Sequence, residues 1–160
     1  MNSIVIVAVG QMHSGFLRDG FEEYSRRISG LARFETVEIK EEKLRSESPA
    51  DIARSIEEEG RRILSAVSDI SPRYTAAMCI EGKRISSEEL AEGLRTLDPS
   101  GRRAVFIIGG SYGLSDRVKD KADLRLSMSD MTFPHQLARL MLAEQLYRAC
   151  TINAGIKYHK

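Results

Sequence analysis

The chain has 160 residues and no tryptophan, with only two cysteines, four prolines and three histidines. Two cysteines, Cys79 and Cys150, make no disulfide framework, and neither belongs to a C-x-x-C pair, so both read as buried reduced thiols. His13, His135 and His159 are too scattered for a ligand set, and no metal is expected. No apolar run approaches the roughly 20 residues that cross a bilayer, which argues against a membrane partner. The opening segment MNSIVIVAVG lacks the basic flank and small-residue cleavage site of a signal peptide. It reads as a first strand, and a cytoplasmic location is the expectation. An excess of one charge is also missing: 24 Lys and Arg stand against 23 Asp and Glu, a net +1. Such a balance gives no sign of a DNA-binding protein.

What is present fits a single domain over residues 1–160, with 42% hydrophobic and 29% charged residues. Charge is unevenly spread. Pro134–Lys160 holds four basic residues and one acidic residue, whereas Arg33–Arg62 holds seven basic and nine acidic. A basic C-terminal segment is a modest pointer to an anionic partner, and an ordinary solvated face explains it as well.

Strand-like runs fall at Ser3–Val9, Phe34–Ile39, Tyr74–Ile80, Ala104–Ile108 and Leu124–Met128. Helical faces fall between them: Leu17, Phe21, Tyr24 and Ile28, then Ile52, Ile56, Ile63, Leu64 and Val67. Ser86 with Glu89 has capping-box spacing, and Ser115 has the position of an N-cap. The polar stretch Lys40–Pro49 reads as a long exposed loop. Alternating strands and helices predict an α/β fold, a mostly parallel sheet covered by helices on both faces. The last helix, HQLARLMLAEQLYRAC, is apolar around most of its circumference. The sheet would cover one side, and a second subunit is the expected cover for the other.

The segment Val105–Leu114, VFIIGGSYGL, ends a strand in a glycine loop. Loops at this end of a parallel strand bind ligands in open α/β sheets. Its spacing, Gly109, Gly110 and Gly113, is not the dinucleotide G-x-G-x-x-G, and only one strand follows, too few for a Rossmann domain. A ligand-free tight turn remains a reading. A third reading pairs the loop with LSMSDMTFPH (Leu126–His135), which follows the next strand. No Lys-Ser or Lys-Thr pair follows the glycines, so a Walker-type phosphate cradle is absent. Methionine, phenylalanine and backbone amides suit a nucleoside without phosphates, such as S-adenosylmethionine.

Taken together, IIGGSYGL, LSMSDMTFPHQLARLMLAEQLYRA and the ending KYHK resemble the RlmH family of SPOUT-class (α/β-knot) methyltransferases. IVAVGQ, FEEYSRRI, EEEGRRIL and IEGKRISSEELA carry the resemblance over nearly the whole chain. It implies a C-terminal trefoil knot, a homodimer, and S-adenosylmethionine as methyl donor. The implied substrate is N3 of a pseudouridine in 23S ribosomal RNA of the large subunit, methylated on the assembled ribosome. Carried over residue by residue, the cofactor site is Met78, Gly109 and Gly110 with Met128, Ser129, Asp130, Met131, Thr132 and Phe133. Two positions depart from the family pattern: Met78 replaces a more usual leucine, a nearly volume-conserving change, and Cys79 stands where related sequences often carry an acidic residue.

Methyl transfer from a sulfonium is an in-line displacement, so the enzyme mostly holds donor and acceptor in line. N3 of pseudouridine is protonated at neutral pH, and a group must take that proton or stabilise the anion. The candidates are His135 beside the cofactor loop, Tyr158 and His159 on the tail, and Arg148 for anionic charge. Arg139 and Lys160 are expected to bind substrate. Each has a plainer reading. His135 after a proline is as well explained by a backbone hydrogen bond, and Arg148 can pair with Glu144 at i, i+4. Two other functions compete: an NAD-linked Rossmann-type enzyme, and a ribosome-binding module without turnover.

Overall fold

Ile4–Val9 is apolar at every position, which a strand tolerates only when both its faces are covered. The computed structural model, which describes residues 2–13 and 15–160, buries all six of these side chains. They lie on β1 (Ser3–Val9) of a five-stranded parallel sheet. Its other strands are β2 (Arg33–Ile39), β3 (Arg73–Arg84), β4 (Arg103–Ile108) and β5 (Leu124–Ser127), in the order β2-β1-β4-β3-β5. The helices are α1 (Gly15–Ser29), α2 (Pro49–Ser68), α3 (Ser87–Leu97), α4 (Asp116–Lys121) and α5 (His135–Asn153).

Strand alternation divides the interior into two cores. Ile4, Ile6 and Ala8, with Phe106 and Ile108, pack against Phe21 and Ile28 of α1, Leu90 and Leu94 of α3, and Leu142 and Leu146 of α5. Val5, Val7 and Val9, with Val105 and Ile107, pack against Ile63 and Val67 of α2 and Val118 of α4. Fully burying each such aliphatic side chain is worth about 1.5–3 kcal/mol before ordering costs. The helices therefore cover both faces, as the alternating pattern predicts.

Two elements differ from the sequence reading. β3 does not stop at Ile80. After an irregularity between Met78 and Lys83, Lys83 and Arg84 pair with Leu126 and Ser127 of β5. Gly82 permits this, because a Cβ there would stand 2.6 Å from the Leu126 main chain. On α2, Ile52 and Ile56 are only half-buried, and the buried residues between positions 49 and 60 are Ser55, Glu59 and Gly60. A polar stripe thus faces inward where an apolar one is expected.

Local chemistry sets the helix starts. Ser48 accepts from the Asp51 amide ahead of α2, and Ser115 from the Val118 amide ahead of α4. Ahead of α3 the capping box is complete: Ser86 Oγ accepts from the Glu89 amide, and Glu89 accepts from the Ser86 amide. Replacing Ser86→Ala leaves the first turn of α3 short of one acceptor. It is expected to lower stability by about 1 kcal/mol in urea unfolding, with the unfolding slope unchanged.

Candidate functional site

The C-terminal ends of β3, β4 and β5 open into a cleft of about 800 Å³. That lies within the roughly 300–1,000 Å³ usual for small-molecule sites. One wall is the glycine loop after β4. A Cβ on Gly109 would meet the Gly113 carbonyl carbon at 2.5 Å and the Leu114 nitrogen at 2.9 Å. Gly113 has φ +83°, and its amide donates to the Gly110 carbonyl at 3.0 Å. The loop folds back on itself with main chain against main chain, a geometry that only glycine allows at these two positions.

The second wall is the irregular segment after β5. Ser127 Oγ donates to the Ser129 carbonyl at 2.9 Å, and the Met131 amide donates to Ser129 Oγ at 3.0 Å. These bonds turn the chain so that Met128, Met131, Thr132 and Phe133 border the cleft. Met131 is 72% exposed, a large apolar side chain left for something else to cover.

Of the expected cofactor residues, Met78, Gly109, Gly110, Met128, Ser129, Met131, Thr132 and Phe133 all border this one cleft. Asp130 is the exception. Its exposed carboxylate pairs with Arg84 at 2.7 Å, outside the cleft wall. Sequence reasoning passed over Glu81 and Lys119, which also border the cleft and pair at 2.8 Å. Asp116 takes the same Lys119 ammonium at 2.9 Å, so this cation is neutralised twice. Cys79 is half-buried in the cleft wall rather than buried in a core. Burial, with the nearby Glu81 charge, pushes its thiol up, so it is a neutral group at pH 7. Among the described residues no group of His, Cys, Asp and Glu is arranged to hold a metal.

His135 borders the cleft at the start of α5. The other three candidate catalytic residues do not. Tyr158 donates to Glu144 Oε1 at 3.0 Å, stacks edge-on against Tyr147, and lies 3.4 Å from the Tyr24 hydroxyl. Arg148 pairs with the same Glu144 oxygen at 2.5 Å, the i, i+4 contact that its spacing allowed. His159 Nε2 lies 2.8 Å from Glu88, and Lys160 is exposed. Burial, with the Tyr24 and Glu144 contacts, raises the Tyr158 phenol far above its ordinary range, so it stays protonated, and with its one proton given to Glu144 its oxygen accepts from the Tyr24 hydroxyl.

Arg139, a candidate for substrate binding, is an internal side chain, 4% exposed. Its guanidinium pairs with Glu38 at 2.8 Å, donates to the Gly10 carbonyl at 3.3 Å and lies over the Phe21 ring at 4.6 Å. Position 139 lies on the inward side of α5, where a cation is kept only if partners meet it, and β1 and β2 end there. Arg139 ties α5 to those strand ends.

The sequence matches the family model for predicted SPOUT methyltransferases over residues 2–159. The chain belongs to the SPOUT methyltransferase family. It is 44% identical over 159 residues to the ribosomal RNA large subunit methyltransferase H of Streptococcus pneumoniae strain CGSP14, covering 98% of this chain and 99% of that one. The protein of the same name from strain D39 matches equally. Among solved structures, a probable methylase family protein from Haemophilus influenzae Rd KW20 has TM-score 0.57 at 16% identity, over 99% of this chain and 71% of that one. The tRNA (m1G37) methyltransferase of Aquifex aeolicus has TM-score 0.53 at 13% identity, over 92% and 70%. These two likenesses concern the fold.

In a SPOUT methyltransferase of this shape, the glycine loop has no room for a side chain at Gly109. Gly109→Ala forces main chain apart at 2.5 Å. The expected result is a folded protein, by circular dichroism, that no longer binds a ligand in the cleft by calorimetry.

Proposed function

We propose that this chain transfers a methyl group from S-adenosylmethionine to N3 of a pseudouridine in large-subunit ribosomal RNA. The reading includes a homodimer acting on the assembled ribosome in the cytoplasm, with the C-terminal part threaded as a trefoil knot. The observation that carries it is the cleft between the glycine loop and Met128–Phe133, in a chain that aligns end to end with a large-subunit rRNA methyltransferase.

The lining fits the donor's chemistry. Met78, Met128 and Phe133 offer a dry surface for an adenine ring, while the main chain of Gly109–Gly113 and Ser129–Phe133 approaches closely enough for polar recognition. The one lysine of the lining is held by Glu81 and Asp116, so the cleft offers no unpaired cation to a phosphate chain. That favours a nucleoside without phosphates over NAD. When bound, the sulfonium supplies an activated methyl group.

The chain's own residues then have to hold the acceptor base in line and deal with its N3 proton. His135 is the candidate acceptor beside the donor in the same chain. Arg148, Tyr158 and His159 pack on the side of α1, α3 and α5, and in this reading they complete the cleft of a partner subunit, with Lys160 toward RNA phosphate. The half-buried Leu137, Leu140 and Met141 on α5 supply an apolar surface for that partner. A dimer joins two modest basic tails, and the ribosome contributes shape that free RNA lacks.

Titration calorimetry with S-adenosylmethionine, and with NAD as control, tests the cofactor. Binding of the first alone is expected, and binding of NAD alone overturns the reading. Methylation of ribosomes with and without the pseudouridine, read by mass spectrometry of the rRNA, tests the substrate; transfer only to the modified ribosomes is expected. His159→Ala should keep the cofactor affinity and lower kcat on ribosomes by about a hundredfold. An unchanged kcat removes the tail from catalysis.

A further inference from the structure

Among the described residues only two charged side chains are buried, Arg139 and Glu59. Arg139 has its carboxylate partner, Glu38. Glu59, on α2, is 8% exposed and takes part in no ion pair with a described residue. What it touches instead is main chain. Oε1 accepts from the Glu42 amide at 3.0 Å, in the polar loop that precedes α2. Oε2 lies 3.2 Å from where a Cβ of Gly110 would stand, level with Val9 Cγ1, so the carboxyl is pressed against the bare Cα face of the glycine loop.

The next residue continues the contact. A Cβ on Gly60 would stand 2.4 Å from Ser115 Oγ, the N-cap of α4, which follows the loop directly. One turn of α2 therefore meets the glycine loop at both ends, Glu59 under Gly110 and Gly60 against Ser115. Beyond Glu59 lies a second cavity of about 410 Å³, bordered by Glu41, Glu42 and Ser55 and by Ser111 and Tyr112. Ser111 and Tyr112 border the 800 Å³ cleft as well. The tip of the glycine loop is thus a partition between two cavities, and it has little apolar packing of its own to hold it.

We propose that Glu59 is a positioning residue for the methyl donor: its side chain braces the glycine loop at Gly110 against the Glu42 main chain and so sets the wall of the cofactor cleft. The inference rests on the reading of that cleft as the S-adenosylmethionine site. Burial pushes the Glu59 carboxyl up, and Glu41 and Glu42 add to this, while the Glu42 amide and Arg62 oppose it. Glutamine matches its shape and keeps an acceptor for the Glu42 amide, so it is the conservative substitute.

The test compares wild type with Glu59→Gln and Glu59→Ala by calorimetric titration of S-adenosylmethionine and by steady-state methylation of ribosomes. Glu59→Ala leaves the Glu42 amide unpaired and the loop unbraced, and its cofactor Kd is expected to rise about tenfold. The ribosome KM stays unchanged, and Glu59→Gln restores the cofactor affinity. A folded Glu59→Ala that binds as wild type overturns the proposal, as does a Glu59→Gln that binds as poorly as Glu59→Ala. If Glu59→Ala does not fold, Glu59→Asp withdraws the carboxyl by one methylene, and the same weakening is expected; unchanged affinity overturns the proposal. Amide hydrogen exchange at Ser111–Leu114 in ligand-free protein is the readout independent of cofactor. Faster exchange in Glu59→Ala or Glu59→Asp than in Glu59→Gln supports the brace, and equal rates overturn it. A wild type that does not bind S-adenosylmethionine refutes the cofactor reading, and the exchange rates still decide the brace.

Discussion

The approach of main chain to main chain between Gly109 and Gly113 is the constraint on which the cleft depends. It turns the chain back as soon as β4 leaves the sheet and keeps the loop thin. It also brings Ser115 to the start of α4 within reach of α2. Without that turn, the segment after β5 would have no facing wall, and the ends of β3, β4 and β5 would open on solvent. Gly82 plays a comparable part on the opposite side, letting the end of β3 lie against the Leu126 main chain. Three glycines thus do by omission what no side chain could do by contact.

The helix α5 has a second organising role. Its inward residues, Leu142, Ala143, Leu146 and Ala149, fill the core between α1 and α3. Its one buried charge, Arg139, ties its first turns to the ends of β1 and β2. Its outward residues remain half-buried with apolar character, and its C-terminal end carries the Tyr158–Glu144–Arg148 cluster. One helix therefore borders the cleft through His135, holds the sheet through Arg139 and anchors the tail through Glu144.

Much of this is legible in the sequence. The five strands and the capping residues Ser86 and Ser115 follow from local rules of period and capping, and the two loops that border the cleft are those that the family resemblance marks. Other features could not be read locally. Asp130 sits within the cofactor run yet pairs with Arg84, because β3 extends further than its apolar pattern does. Glu81 and Lys119 meet across 38 residues only because β3 and α4 converge on the cleft. On α2 the i, i+4 pair Ser55 and Glu59 was the available sign of an inward polar stripe, and the isoleucines beside it masked that sign.

By itself the sequence determined the alternation of strands and helices, the family and the two segments that enclose the cleft. The alternation and the two segments rest on periodicity and on residue types whose backbone preferences act over a few positions, and the family rests on the resemblance of motifs along nearly the whole chain. Only the tertiary structure decided which charges are internal, as for Arg139 and Glu59, and which candidate groups share a cavity. His135 joins the cleft, while Arg148, Tyr158 and His159 gather around Glu144 and Glu88. Burial and proximity are properties of packing between distant segments, and no local pattern encodes which partner a charge will find.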